Sequence, residues 1–180
     1  QNYLAALEIL PSSAGLQQNY GRLELRRAAL ADADRDTYQE AMSSAAAHFK
    51  AAIVAAPSQA FSWSLESYAL SELSAPAIEI NGLLRMSYFL GPLEGSSILV
   101  RARVAIKSWE GLDGDVQGFV RQDFKAIWQT YGMRQMIADI YFDAPLEARV
   151  VIRDAIIENE RDKQVFNRLL LKALAQPRAG

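Results

Sequence analysis

AAAHFKAAIVAAPSQAFSW, residues 45–63, is the stretch on which the reading of the chain turns. Small Ala45, large Phe49 and small Ala52 stand four and three positions apart, which puts them on one face of a 3.6-residue period. Pro57 then stops the helix, because it donates no backbone hydrogen bond and pushes the residue before it out of the α region. Apolar residues resume at Phe61 and Trp63, so the stretch reads as a helix, a tight turn and a second helix.

The same punctuation extends in both directions. Alanine and leucine dominate, apolar residues recur at three and four positions, and no stretch alternates long enough to argue a strand, so the fold class is all-α. Thr37-Tyr-Gln-Glu40 has the form of a capping box and predicts a helix start at Thr37. Breaks fall at Ser74–Pro76, Gly91-Pro92, Glu110–Asp115, Gly132, Asp143–Pro145 and the polar ENERD at 158–162. They predict helices over 2–9, 17–31, 37–55, 59–72, 76–90, 94–108, 115–131, 133–141 and 145–175, the last split near Asn159. No linker is long enough to separate domains, so residues 1–180 read as one helical domain, regular over 1–102 and degenerate over 103–180.

Composition narrows the function. With 180 residues and 51% of them hydrophobic, the chain can bury a sizeable core. The net charge is −2 with acidic and basic residues interspersed, which removes the basic footprint of a nucleic-acid binder. No apolar run reaches the roughly 18 residues of a membrane helix. Cysteine is absent, and with it disulfides, thiolate metal sites and thiol nucleophiles. The chain opens on Gln1 without a methionine and reads as a processed or trimmed form; a signal or anchor segment cut away before it would point toward export.

Candidate chemistry is sparse. DADRD places Asp32, Asp34 and Asp36 at the alternate positions of a calcium loop. Thr37 stands where that loop needs glycine, however, and Ser43 where it needs the bidentate glutamate, so the stretch reads as a solvated turn. Asp115, in LDGD, reads as a helix N-cap. His48 is the only histidine and lies one step off the packing seam beside Phe49. No nucleophile elbow or glycine-rich loop accompanies it. Glu158 and Glu160 could do acid–base work on a glycan, but with Arg161, Asp162 and Lys163 they read as a charged helix junction. The aromatics Trp63, Trp109, Trp128, Tyr68, Tyr88, Phe124 and Tyr141 fall at helical spacings that indicate core. No catalytic, cofactor or metal site is predicted.

Pro57 and Pro92 stand 35 residues apart, each ending an apolar helix. On Ala45, Phe49, Ala52 and Pro57, followed by Trp63 and Ser67, the chain resembles the tetratricopeptide repeat (TPR) family, whose helix pairs repeat every 34 or so residues. Ile80, Leu84, Ser87 and Pro92 continue the pattern in weaker form, and Tyr3, Ala6 and Pro11 resemble the tail of an earlier unit. RRAAL, the SYFLGP turn and the degenerate repeats are also similar to periplasmic helical-repeat proteins that accompany bacterial exopolysaccharide assembly. The resemblance implies a short α-solenoid: a non-enzymatic scaffold binding a protein partner, in the periplasm or cell envelope. First helices line the concave surface in that family, so the carried-over groove is Phe61, Ser64 and Tyr68 in one unit and Leu99, Arg103 and Lys107 in the next. Such an aromatic patch beside a cationic one suits a peptide with an acidic end or an anionic glycan. The alternatives are a glycan-binding module or small helical enzyme using the same groove, and a structural subunit of a helical oligomer.

Overall fold

The structure, a computed structural model, describes residues 13–31 and 34–175. The helix expected over 2–9, with Tyr3, Ala6 and Pro11, lies outside the described residues, as does Asp32. Among the described residues there are nine α-helices and no strand. They are α1 (Ala14–Ala29), α2 (Arg35–Ala55), α3 (Ala60–Glu72), α4 (Ala77–Leu90), α5 (Gly95–Lys107), α6 (Gly114–Gln129), α7 (Arg134–Asp143), α8 (Leu146–Ile156) and α9 (Glu160–Ala175). Where the sequence reads as one domain, the chain divides into two compact units, Gln1–Arg101 and Ala102–Gly180.

The helix ends show how local chemistry sets the boundaries. α2 starts two residues before the expected capping box, because Asp34 and not Thr37 is its N-cap. The Asp34 carboxylate accepts the Thr37 amide at 3.1 Å and the Thr37 hydroxyl at 2.6 Å. These two bonds, the hydroxyl foremost, hold the Asp34 carboxyl below the usual carboxylate range. Glu40, expected to complete the box, instead accepts from Arg27 of α1 at 2.8 Å. Asp115 lies in the first turn of α6 and not at its cap, a position where its charge still suits the positive helix end. The break at Asn159 is a cap: its side chain accepts the Asp162 amide at 3.0 Å, opening α9. α3 closes with Ser74 at φ 57°, its amide bonded to Ser71 O and that of Ala75 to Leu70 O, the double bond of a Schellman end.

Three arginines close helix C-termini in a way the sequence pattern does not announce. Arg101, fully buried in α5, donates to Gly91 O at 2.9 Å and Pro92 O at 3.0 Å beyond α4, and its guanidinium lies 4.2 Å from the Tyr88 ring centroid. Arg134, the first residue of α7, donates to Trp128 O of α6 at 2.7 Å and stacks on Trp128. Arg149 of α8 donates to Tyr141 O, Phe142 O and Ala144 O at the end of α7, beside the Tyr141 ring. Each cation meets orphaned carbonyls at the negative end of a helix and an aromatic face at once.

In the first unit successive helices pack, α1 on α2, α2 on α3 and α3 on α4. The centre is α3: every one of its residues is buried or half-buried. Its sequence, AFSWSLESYALSE, has apolar and small residues on all sides, as a helix enclosed all round requires. Three of its four buried serines satisfy themselves locally: Ser64, Ser67 and Ser71 donate back to Phe61 O, Ser64 O and Tyr68 O at 2.7–2.8 Å, whereas Ser62 reaches across to Gln18 Oε1 of α1 at 3.1 Å. Ala45, Ala46 and Phe49 of α2 form one cluster with Leu65 and Ala69 of α3, edged by Leu25, Phe61, Leu70 and Val100. Trp63 donates its indole N–H to Pro57 O at 2.8 Å, which pins the α2–α3 turn and accounts for the spacing of those two residues.

The second unit is built differently. α6 packs on both α7 and α8, and α7 also packs on α8 and α9. Val116, Val120, Phe124 and Ile127 form the buried stripe of α6. Phe166 of α9 meets Trp128 and Tyr141 edge-on, at ring-centroid distances of 6.1 and 5.2 Å.

The close approach of α1 to α2 rests on Gly21. A β-carbon there would lie 2.6 Å from Phe49 Cε1, and Phe49, fully buried, has nowhere to move. Gly21→Ala is therefore expected to destabilise the protein by about 1–3 kcal/mol through overpacking. Gly118, exposed in α6 with open space around it, should instead gain about 0.5–1 kcal/mol as alanine. Chemical denaturation of both variants checks the opposite signs; a neutral or stabilising Gly21→Ala would contradict the packing.

Candidate functional site

Among the described residues, the first unit holds two concavities that bear on function. The larger, about 520 Å³, runs between α2 and α4 with α3 as its floor. Lys50, Ile53 and Val54 line the α2 wall, Ile78, Glu79 and Leu83 the α4 wall, and Trp63, Glu66 and Leu70 the floor. Val54 and Ile78 are 79% and 74% exposed, so the rim presents apolar surface to water. The smaller concavity, about 490 Å³, joins Gln18 and Asn19 of α1 to Ser58, Gln59, Phe61 and Glu94.

Glu66 distinguishes the larger groove. It is only 8% exposed, and among the described residues its carboxylate makes neither a hydrogen bond nor an ion pair within 4 Å. Burial raises its pKa; Lys50 opposes that shift and Glu79 adds to it. The walls of the groove remove part of the water from the carboxylate without supplying a hydrogen bond in its place, which costs folding some free energy. Lys50 and Glu79 themselves are exposed.

The residues carried over from the repeat family fall elsewhere. Phe61, Ser64 and Tyr68 share one stripe of α3, and at about 100° per residue that stripe faces away from Trp63, Glu66 and Leu70. Ser64 is fully buried with its hydroxyl bonded to Phe61 O, so it has no surface to offer a ligand. Tyr68 is half-buried against the cluster of Ala28, Ala41 and Met42, and Phe61 is half-buried at the mouth of the smaller concavity. Leu99 is half-buried in the first unit, whereas Arg103 and Lys107 are exposed and belong to the second. Phe61 alone of the six lines either concavity.

The other candidates are engaged structurally. His48 Nδ1 lies 2.6 Å from Gln17 Oε1 and its ring 4.4 Å from that of Tyr20, and burial lowers its pKa. Glu158 pairs with Lys125 at 2.6 Å and Glu160 with Lys163 at 3.5 Å, all on exposed surface. Among the described residues no cluster of histidine, aspartate and glutamate could hold a metal ion, and no helix is long and apolar enough to cross a membrane. Trp109, Trp128, Tyr88 and Phe124 are buried.

Glu66, Lys50, Glu79, Val54 and Ile78 were not singled out by sequence. The available signal was an acidic residue in the middle of α3, on a helix otherwise apolar or small through that stretch, and Val54 standing off the buried stripe of α2. No family model matches the chain, and no curated protein or solved structure matches it.

A raised pKa in the folded chain means that the folded state binds Glu66's proton more tightly than the unfolded state does. Stability from this group is then highest at acid pH and declines as pH rises from the ordinary carboxylate range through the raised value. Glu66→Gln, which keeps the shape and removes the charge, should be more stable than the parent at neutral pH. The difference should shrink as pH falls from the raised value through the ordinary carboxylate range and vanish below it. Thermal unfolding of both proteins across that range checks the sign; a parent more stable than Glu66→Gln at pH 7 would contradict it.

Proposed function

We propose that the chain is a non-enzymatic helical-repeat scaffold whose first unit, arranged as a short TPR-like solenoid, holds a protein partner in the groove between α2 and α4. The observation that carries this reading is the groove itself: an apolar channel, open at a rim of exposed Val54 and Ile78 and floored by an enclosed helix. Sites of this size and apolar character are where segments of another molecule dock. A binding role is also favoured by the engagement of His48, Glu158 and Glu160 in structural contacts. The bacterial envelope assembly suggested by resemblance is the proposed setting, and the identity of the partner tests it.

Selection of 12-residue peptides from a displayed random library on the full chain provides the experiment. Peptides should be enriched whose affinity falls about tenfold or more on Val54→Asp or Ile78→Asp, while stability stays within about 0.5 kcal/mol because both side chains are exposed. Enrichment of nothing, or only of peptides indifferent to both substitutions, would contradict the reading.

A second reading, glycan binding, rests on the smaller concavity. Gln18, Asn19 and Gln59 supply amides and Phe61 an apolar ring face, the combination that meets sugar hydroxyls and C–H surfaces. Binding of anionic oligosaccharides by calorimetry, abolished by Gln59→Ala, would favour it over the peptide reading; absence of heat would remove it.

A further inference from the structure

We propose that the occupant of the α2–α4 groove is an apolar peptide segment carrying one lysine or arginine, whose cationic head pairs with Glu66. This deepens the reading above and rests on it. The geometry supplies an anion without a direct partner: Glu66 lines the floor, the residue more than nine-tenths buried, its carboxylate open to the groove and making no hydrogen bond or ion pair within 4 Å among the described residues. The charges that face it are Lys50 from α2 and Glu79 from α4, so the groove holds two carboxylates against one ammonium. The sign of the vacancy is therefore cationic.

The remainder of the lining sets the rest of the ligand. Ile53, Val54, Trp63, Leu70, Ile78 and Leu83 offer apolar contact on both walls and the floor. An isolated amine would leave that surface wet, whereas a purely apolar segment would bury Glu66 further without neutralising it, which costs more than it recovers. A segment that lays aliphatic or aromatic side chains over Val54 and Ile78 and directs one guanidinium or ammonium to the floor satisfies both demands. An arginine would meet the carboxylate with two parallel N–H donors.

Pairing with a cation favours ionised Glu66, so it lowers the pKa that burial has raised. Binding then expels a proton over the pH interval between the free and bound values, and weakens as pH falls through it.

The library selection supplies the probe peptides, and the test compares them on the parent and on Glu66→Gln, a variant expected to fold at least as well. Groove-dependent peptides, identified by their sensitivity to Val54→Asp, should share one lysine or arginine among apolar residues. They should bind Glu66→Gln about ten- to a hundredfold more weakly, the range for a lost charged hydrogen bond. Replacing the basic residue by citrulline or norleucine should cause a comparable loss on the parent and little further loss on Glu66→Gln. Calorimetry in two buffers of different ionisation enthalpy should show proton release on the parent and none on the variant. Groove-dependent peptides that lack a common basic residue, or that bind both proteins equally, would overturn the inference while leaving the scaffold reading intact. Failure to obtain any groove-dependent peptide would overturn both.

Discussion

The first unit depends on the enclosure of one helix. α3 has no exposed residue, and it lets α2 and α4 pack close because small residues are interspersed along it and three of its buried serines bond to their own helix. Serines at 62, 64, 67 and 71 take the place of larger residues, and three of them return their hydrogen bonds to their own helix. A buried serine that reached across to a neighbour would fix one contact; one that bonds backward behaves as a small, nearly apolar surface. Helices can then come close, and dispersion contacts accumulate along the whole length of α3.

The groove is a consequence of that arrangement. α2 and α4 both pack on α3, and the side chains between them, Val54 and Ile78 at the rim and Leu70 and Trp63 below, do not close the space. Glu66 sits on the floor because α3 runs there, and it is desolvated because the walls stand on either side. A helix enclosed for structural reasons thus delivers a carboxylate without a direct partner into a largely apolar channel. The same close packing sets the opposite side of the unit, where Gly21 gives up its side chain to the ring of Phe49.

Much of the fold was legible in the sequence, and the parts that were not share a physical cause. Helix identity followed from the 3.6-residue period and from Pro57, Pro76 and Pro145, each an obligate break. Helix starts were off by two or three residues where a side chain other than the expected one made the cap, as Asp34 did for Thr37. The arginine closures at 101, 134 and 149 depend on which helix end lies next to which guanidinium, information that no local window contains. The expected groove failed for a related reason. Phe61, Ser64 and Tyr68 share a stripe, but on a helix enclosed all round a stripe does not say which side faces solvent. The apolar pattern of α3 is nearly uniform, so only the positions of α2 and α4 decide that Trp63, Glu66 and Leu70 border open space.

The central claim is that α3 is the enclosed core of the first unit and the fixed floor of its groove. Native-state hydrogen exchange read residue by residue tests it most directly, because amides of an enclosed helix open only when the unit unfolds. The account predicts that the amides from Ser64 to Ser71 exchange most slowly in residues 13–101. Their opening free energies should equal that of the unit's unfolding and should fall with denaturant at its full slope. Exchange of those amides through a low-energy local opening, faster than that of α1 or α4, would contradict it.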